Sequence, residues 1–65
     1  MTYTIGCRWM NYKKEPFIVE KDTPQEVLAE IEGLERSDVR IEYIATPEHG
    51  RLDSHGFRIL YTDRK

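Results

Sequence analysis

Cysteine is almost absent from this chain of 65 residues, with Cys7 the sole example. An internal disulfide is therefore excluded, and a thiolate cage for a metal lacks its ligands. A lone thiol on an apolar stretch reads as a buried core residue in a reducing cytoplasm. Long apolar runs are missing too, and no segment approaches membrane-spanning length. The start of the chain has neither the basic opening nor the apolar stretch of a secretory signal. These absences predict a soluble, cytoplasmic protein that does not enter a membrane. There is no glycine-rich phosphate loop, no serine-centred elbow and no paired-carboxylate arrangement in a predictable cleft. So small a chain also has little volume for a substrate pocket. The expectation is a protein that is not an enzyme and carries no cofactor.

What is present describes a hydrophilic globular domain. Hydrophobic residues make up 38% and charged residues 34% of the chain. The length allows one domain spanning residues 1–65 with a modest core, for which association with a second copy is the remaining stabilising device.

The clearest local signal lies in Asp22–Gly33. Thr23 is placed to cap a helix, and Glu26 to reach back to the cap residue's own N–H. Pro24 falls at the first helical position, where its missing N–H costs nothing. Val27, Leu28, Ile31 and Leu34 form one apolar stripe. Gly33 suits a left-handed ending, with Leu34 and Glu35 as an extension of a residue or two. A helix this short needs a sheet to hold it.

Strand-like alternation flanks the helix. Tyr3–Tyr12 and Phe17–Lys21 precede it, separated by the polar turn Lys13-Lys14-Glu15-Pro16, and Val39–Thr46 and Phe57–Thr62 follow. The reading is α+β: a single small ββαββ domain, with a four-stranded sheet and one helix on one face. Tyr3, Ile5, Cys7, Trp9, Phe17, Val19, Val39, Ile41, Tyr43, Ala45, Phe57, Ile59 and Tyr61 would then share the helix-facing side. Strand order stays open between a β-grasp-like sheet with first and last strands parallel at the centre, two hairpins joined antiparallel, and a sheet shared by two chains.

The opposite face is where a function would reside. A solvated sheet face should be nearly all polar. This one would carry Met10, Tyr12, Ile18, Ile44 and Leu60, with Arg8, Arg40 and Arg58 among them. Such a patch marks an interface with another protein or with a second copy in a homodimer. Charge suggests a secondary surface, because residues 20–38 hold seven acids against Lys21 and Arg36. Glu26, Glu30, Glu32 and Glu35 on the helix could meet a basic partner. Direct nucleic-acid binding through the arginine-bearing sheet face is the alternative. It has one aromatic, Tyr12, is interrupted by Glu20 and Glu42, and belongs to a chain of pI about 5.6.

The connection 46–56 holds both histidines. His49, Asp53 and His55 could donate to a divalent metal, but their spacing matches no standard pattern, and Pro and Gly are what a turn needs anyway. No metal is expected. The composite expectation is a small acidic cytoplasmic inhibitor or adaptor that binds another protein. One form of it is a phage- or mobile-element-encoded blocker of a host defence complex, such as an anti-CRISPR.

Overall fold

A computed structural model describes residues 2–11 and 13–62. The chain runs β1 (Tyr3–Trp9), β2 (Phe17–Lys21), α1 (Pro24–Glu35), β3 (Val39–Thr46), β4 (Gly50–Leu52) and α2 (Ser54–Tyr61). The strands form one sheet in the order β2-β1-β3-β4, each neighbour antiparallel to the next. The α+β class and a four-stranded sheet agree with the expectation, but the fourth strand comes from a different segment and two helices are present rather than one. The order is that of two hairpins joined through their first strands, so the β-grasp arrangement is excluded. Each hairpin is followed by a helix, giving the repeated order ββα–ββα.

Helix α1 begins as its residues dictate. The Glu26 N–H donates to Thr23 Oγ1 at 3.2 Å. The Glu26 carboxylate accepts from the Asp22 N–H, one residue before the cap rather than at the cap itself. Val27, Ile31 and Leu34 are buried. The predicted left-handed ending at Gly33 does not occur, because the helix continues through it to bury Leu34. The helix closes in tight turns instead, with the Arg36 N–H donating to Gly33 O and the Ser37 N–H to Leu34 O.

The segment expected as a fourth strand, 57–62, is helical, and the fourth strand lies within the predicted loop. Asp53 caps α2 by accepting from the Gly56 N–H at 2.6 Å. Gly56 permits that closeness, since a Cβ there would stand 3.0 Å from Asp53 Oδ1. Phe57 and Tyr61, one helical turn apart, stack with centroids 4.3 Å apart, and Phe57 is fully buried. Strand β4 follows a tight turn whose residue Gly50 has φ 70°, a conformation glycine adopts without penalty. Thr46 Oγ1 pins that turn, accepting from the His49 N–H and donating to Gly50 O.

Both helices lie on the same side of the sheet. Tyr3, Ile5, Cys7, Val27, Ile31, Leu34, Val39, Ile44 and Phe57 form the core. One irregularity decides which residues reach it. Gly6 pairs with Tyr43 but Cys7 pairs with Ile41, so Glu42 is an extra residue on β3. Before this bulge Val39 and Ile41 face the helices; after it Ile44 and Thr46 do. Tyr43 and Ala45, expected inside, therefore turn to the opposite face. Ile44, expected outside, is 0% exposed.

Candidate functional site

No helix among the described residues covers the other side of the sheet. Across it, cross-strand pairing sets three rows of side chains. The first is Arg8 opposite Arg40; the second is Ile18, Gly6 and Tyr43; the third is Glu20, Thr4, Ala45 and Arg51. Directly paired antiparallel residues share a face, so these rows are contiguous surface.

The middle row depends on a glycine. Tyr43 lies so close over Gly6 that a Cβ there would stand 2.1 Å from the ring. Only the bare backbone of Gly6 leaves room for it. Arg51 sits over the same ring at 4.4 Å from its centroid, a cation–π contact that fixes the tyrosine from the far side. On the near side, Pro16, Phe17, Ile18, Tyr43 and the Arg8–Glu42 pair wall a shallow groove of about 200 Å³. The Arg8 Nε donates to Glu42 Oε2 at 2.6 Å. Arg40 makes no ion pair among the described residues.

Of the residues expected on this face, Arg8, Ile18 and Arg40 are there, and Ile18 is 57% exposed. Met10 follows β1 and is equally open, its N–H donating to Asp38 O at 2.9 Å. It lines a second hollow, of about 250 Å³, with Glu35, Val39, Arg40, Ile41 and Ser54. Ile44 belongs to the core, because the bulge reverses the phase of β3. Arg58 and Leu60 are also displaced from the face, because their segment is α2 in the helix layer. Arg58 pairs with Glu35 at 2.7 Å, bridging the two helices. Tyr12 lies outside the described residues. The sequence reading missed Gly6, Tyr43 and Arg51 on this face. A glycine inside a strand run is a recognised sign of a bulge or close backbone approach, and Gly6 carried it.

The acidic helix surface is largely engaged within the chain. Glu26 serves the cap, Glu30 lies 3.5 Å from Lys21 and Glu35 takes Arg58, which leaves Glu32 exposed without such a contact among the described residues.

A separate cluster joins the β3–β4 turn to α2. Tyr3 and Tyr61 both donate to the Glu48 carboxylate, at 3.2 and 2.8 Å. His49 Nδ1 lies 2.8 Å from the Tyr61 oxygen. Tyr61 has one hydroxyl proton and gives it to Glu48, so the contact with His49 needs a proton on Nδ1. The Tyr61 bond, opposed by partial desolvation and aided by the Tyr3 bond, holds Glu48 below the usual carboxylate range. Desolvation and then the Glu48 bond push both tyrosines up. This is a clamp on α2. Asp53 is occupied as a cap, and no group of three or more His, Cys, Asp or Glu residues is placed to hold an ion among the described residues. Cys7 is buried, with Sγ 3.6 Å from Ile5 O, and desolvation followed by the Glu30 charge pushes its thiol up and away from the reactive thiolate.

No protein-family model, curated protein or solved structure matches the chain. No helix among the described residues is long and apolar enough to cross a membrane.

Proposed function

We propose that this is a non-enzymatic interaction module that acts by binding another protein through the open face of its sheet. The observation that carries this reading is the apolar middle row, Ile18 and Tyr43 on either side of Gly6, set among guanidinium groups. A merely solvated sheet face would be polar at these central positions. Arg and Tyr around a small apolar recess are instead the composition of an interface core. The groove also falls below the roughly 300 Å³ at which small-molecule pockets begin, which supports a protein partner over a substrate. The net charge of −2 and small size suit a cytoplasmic inhibitor or adaptor, with a phage- or mobile-element-encoded blocker of a host defence complex as one such role. A back-to-back homodimer would use the same face.

Nucleic-acid binding draws less support. The aromatic ring such a platform would offer already carries Arg51, and Glu20 and Glu42 interrupt the cations. The test is affinity capture from the native host with the wild type and with Ile18→Lys, alongside light scattering. We expect a partner or a dimer for the wild type and its loss in a variant that still melts cooperatively. Retention of every partner and of the oligomeric state by Ile18→Lys would refute the reading. Retention on single-stranded DNA or RNA at moderate salt would favour the alternative.

A further inference from the structure

We propose that the open face selects a partner segment in which an apolar side chain stands beside a carboxylate. The apolar side chain would enter the groove over Gly6, and the carboxylate would meet the Arg8–Arg40 pair. The proposal rests on the interaction reading above and adds the chemistry of the partner.

The first argument is charge. Arg8 and Arg40 are directly opposite on neighbouring central strands, where like charges repel and side-chain pairing should favour something else. Glu42, the extra residue of the bulge, offers one carboxylate to Arg8. Arg40 is exposed and has no acidic partner among the described residues. Among the described residues Arg40 is thus left without a carboxylate, and an incoming acid would relieve the like-charged pair through charge-assisted hydrogen bonds.

The second argument is size. The groove of about 200 Å³ adjoins Arg8 and is walled by Pro16, Ile18 and Tyr43. That is room for one side chain rather than for a drug-sized ligand. Apolar recess and cationic pair are contiguous, so both would be filled by neighbouring residues of one segment.

The third argument separates an acidic peptide from a phosphate chain. A nucleic acid brings charge at every nucleotide and relies on a broad basic footprint. Here Glu20 and Glu42 lie on the same face, and the chain carries a net charge of −2. A local carboxylate fits this pattern and a continuous polyanion does not.

The test is to pan a random peptide display library on immobilised wild-type protein, Arg40→Glu and Ile18→Ser. Binding of a selected peptide and of labelled oligothymidylate is then measured by fluorescence anisotropy. We expect wild type to enrich peptides with Asp or Glu next to Leu, Ile, Phe or Met. Affinity should fall about tenfold in Arg40→Glu and again between roughly 50 and 300 mM salt. Ile18→Ser should weaken the same peptides. Arg40→Glu should melt no lower than wild type, since Arg8 gains an acid opposite it. A purely structural arginine would instead lower the melting temperature.

Enrichment of apolar peptides without acids, still dependent on Ile18, would overturn the proposal while the interaction reading stands. No enrichment at all would overturn the proposal, and the capture experiment would then decide the broader reading independently. Tighter binding of oligothymidylate than of any selected peptide would overturn both.

Discussion

The two faces of one sheet have opposite fates in this molecule. Behind β1 and β3, Ile5 and Ile44 are wholly excluded from water, packed with Ile31 of α1 and Phe57 of α2. In front, Ile18 is more than half exposed on a face that also carries Arg8, Arg40 and Arg51. Both faces are built from the same strands, so composition alone does not separate them. What separates them is the period-two alternation together with one extra residue, Glu42, that reverses it midway along β3. On β3 the bulge thereby decides which side each later residue takes, sending Ile44 to the core and Tyr43 to the open face.

The sharpest way to break this comparison is to place the same charge on each side. Ile44→Lys should cost more than about 4 kcal/mol, because it buries an unpaired charge, and should leave the protein unfolded. Ile18→Lys should change stability by less than about 0.5 kcal/mol. Equal urea midpoints for the two variants would mean that the bulge does not set the phase of β3.

Truncation gives the next largest contrast, this time within α2. Phe57→Ala should cost about 3–5 kcal/mol as a fully buried aromatic is lost, whereas half-exposed Leu60→Ala should cost well under that. Thermal denaturation separates these outcomes, and similar losses would place α2 in the wrong rotation.

On the open face, Gly6→Ala should cost about 1–3 kcal/mol by forcing the Tyr43 ring aside. The same change in a Tyr43→Ser background should cost much less, a non-additivity that chemical denaturation of the four proteins would measure. Additive effects would show that the ring and the glycine are independent.

Gly33→Ala should raise stability by about 0.5–1 kcal/mol. Gly33 sits inside α1, and a Cβ there meets nothing within 4 Å. A loss of stability in urea titrations would mean the position needs a glycine conformation it does not display.

The smallest effect belongs to Glu48. Its carboxyl is held below the ordinary value of about 4.3 by the Tyr61 and Tyr3 hydroxyls. A depressed folded value contributes stability that is complete above the unfolded value and lost as pH falls through the folded one. Wild type should therefore melt above Glu48→Gln near neutral pH, with the difference shrinking as the pH falls below the ordinary carboxylate value. A difference that stays constant with pH would dissociate the clamp from the charge of Glu48.

Much of the fold was legible because its local rules agree. β2 and β3 begin and end where their alternation does, and α1 starts where Thr23 and Pro24 place it. The phase of β3 beyond the bulge was not legible, since an inserted residue leaves the alternation looking unbroken while reversing its meaning. The last element failed for a different reason. Phe57, Ile59 and Tyr61 satisfy a period of two, and Phe57 with Tyr61 equally satisfies a helical turn. Asp53, three residues before Gly56, was the capping signal that could have decided it. The site inherits this division. Arg8, Ile18 and Arg40 precede the bulge or lie on the other hairpin and were placed correctly; Ile44, Arg58 and Leu60 follow it and were not.

The order ββα–ββα has a consequence for how the chain could be divided. Each hairpin and its helix form a contiguous half, and the halves meet chiefly along β1 and β3. A break in the turn at residues 36–38 would sever neither hairpin nor either helix. Each fragment would then carry a central strand with one edge unpaired and half of an uncovered core, so neither should be stable alone. Mixed together, they would have one self-consistent way to reassemble, because the bulge admits a single register. The molecule is in this sense a ready-made complementation pair, in which recovery of the fold reports that two separately carried pieces have been brought together.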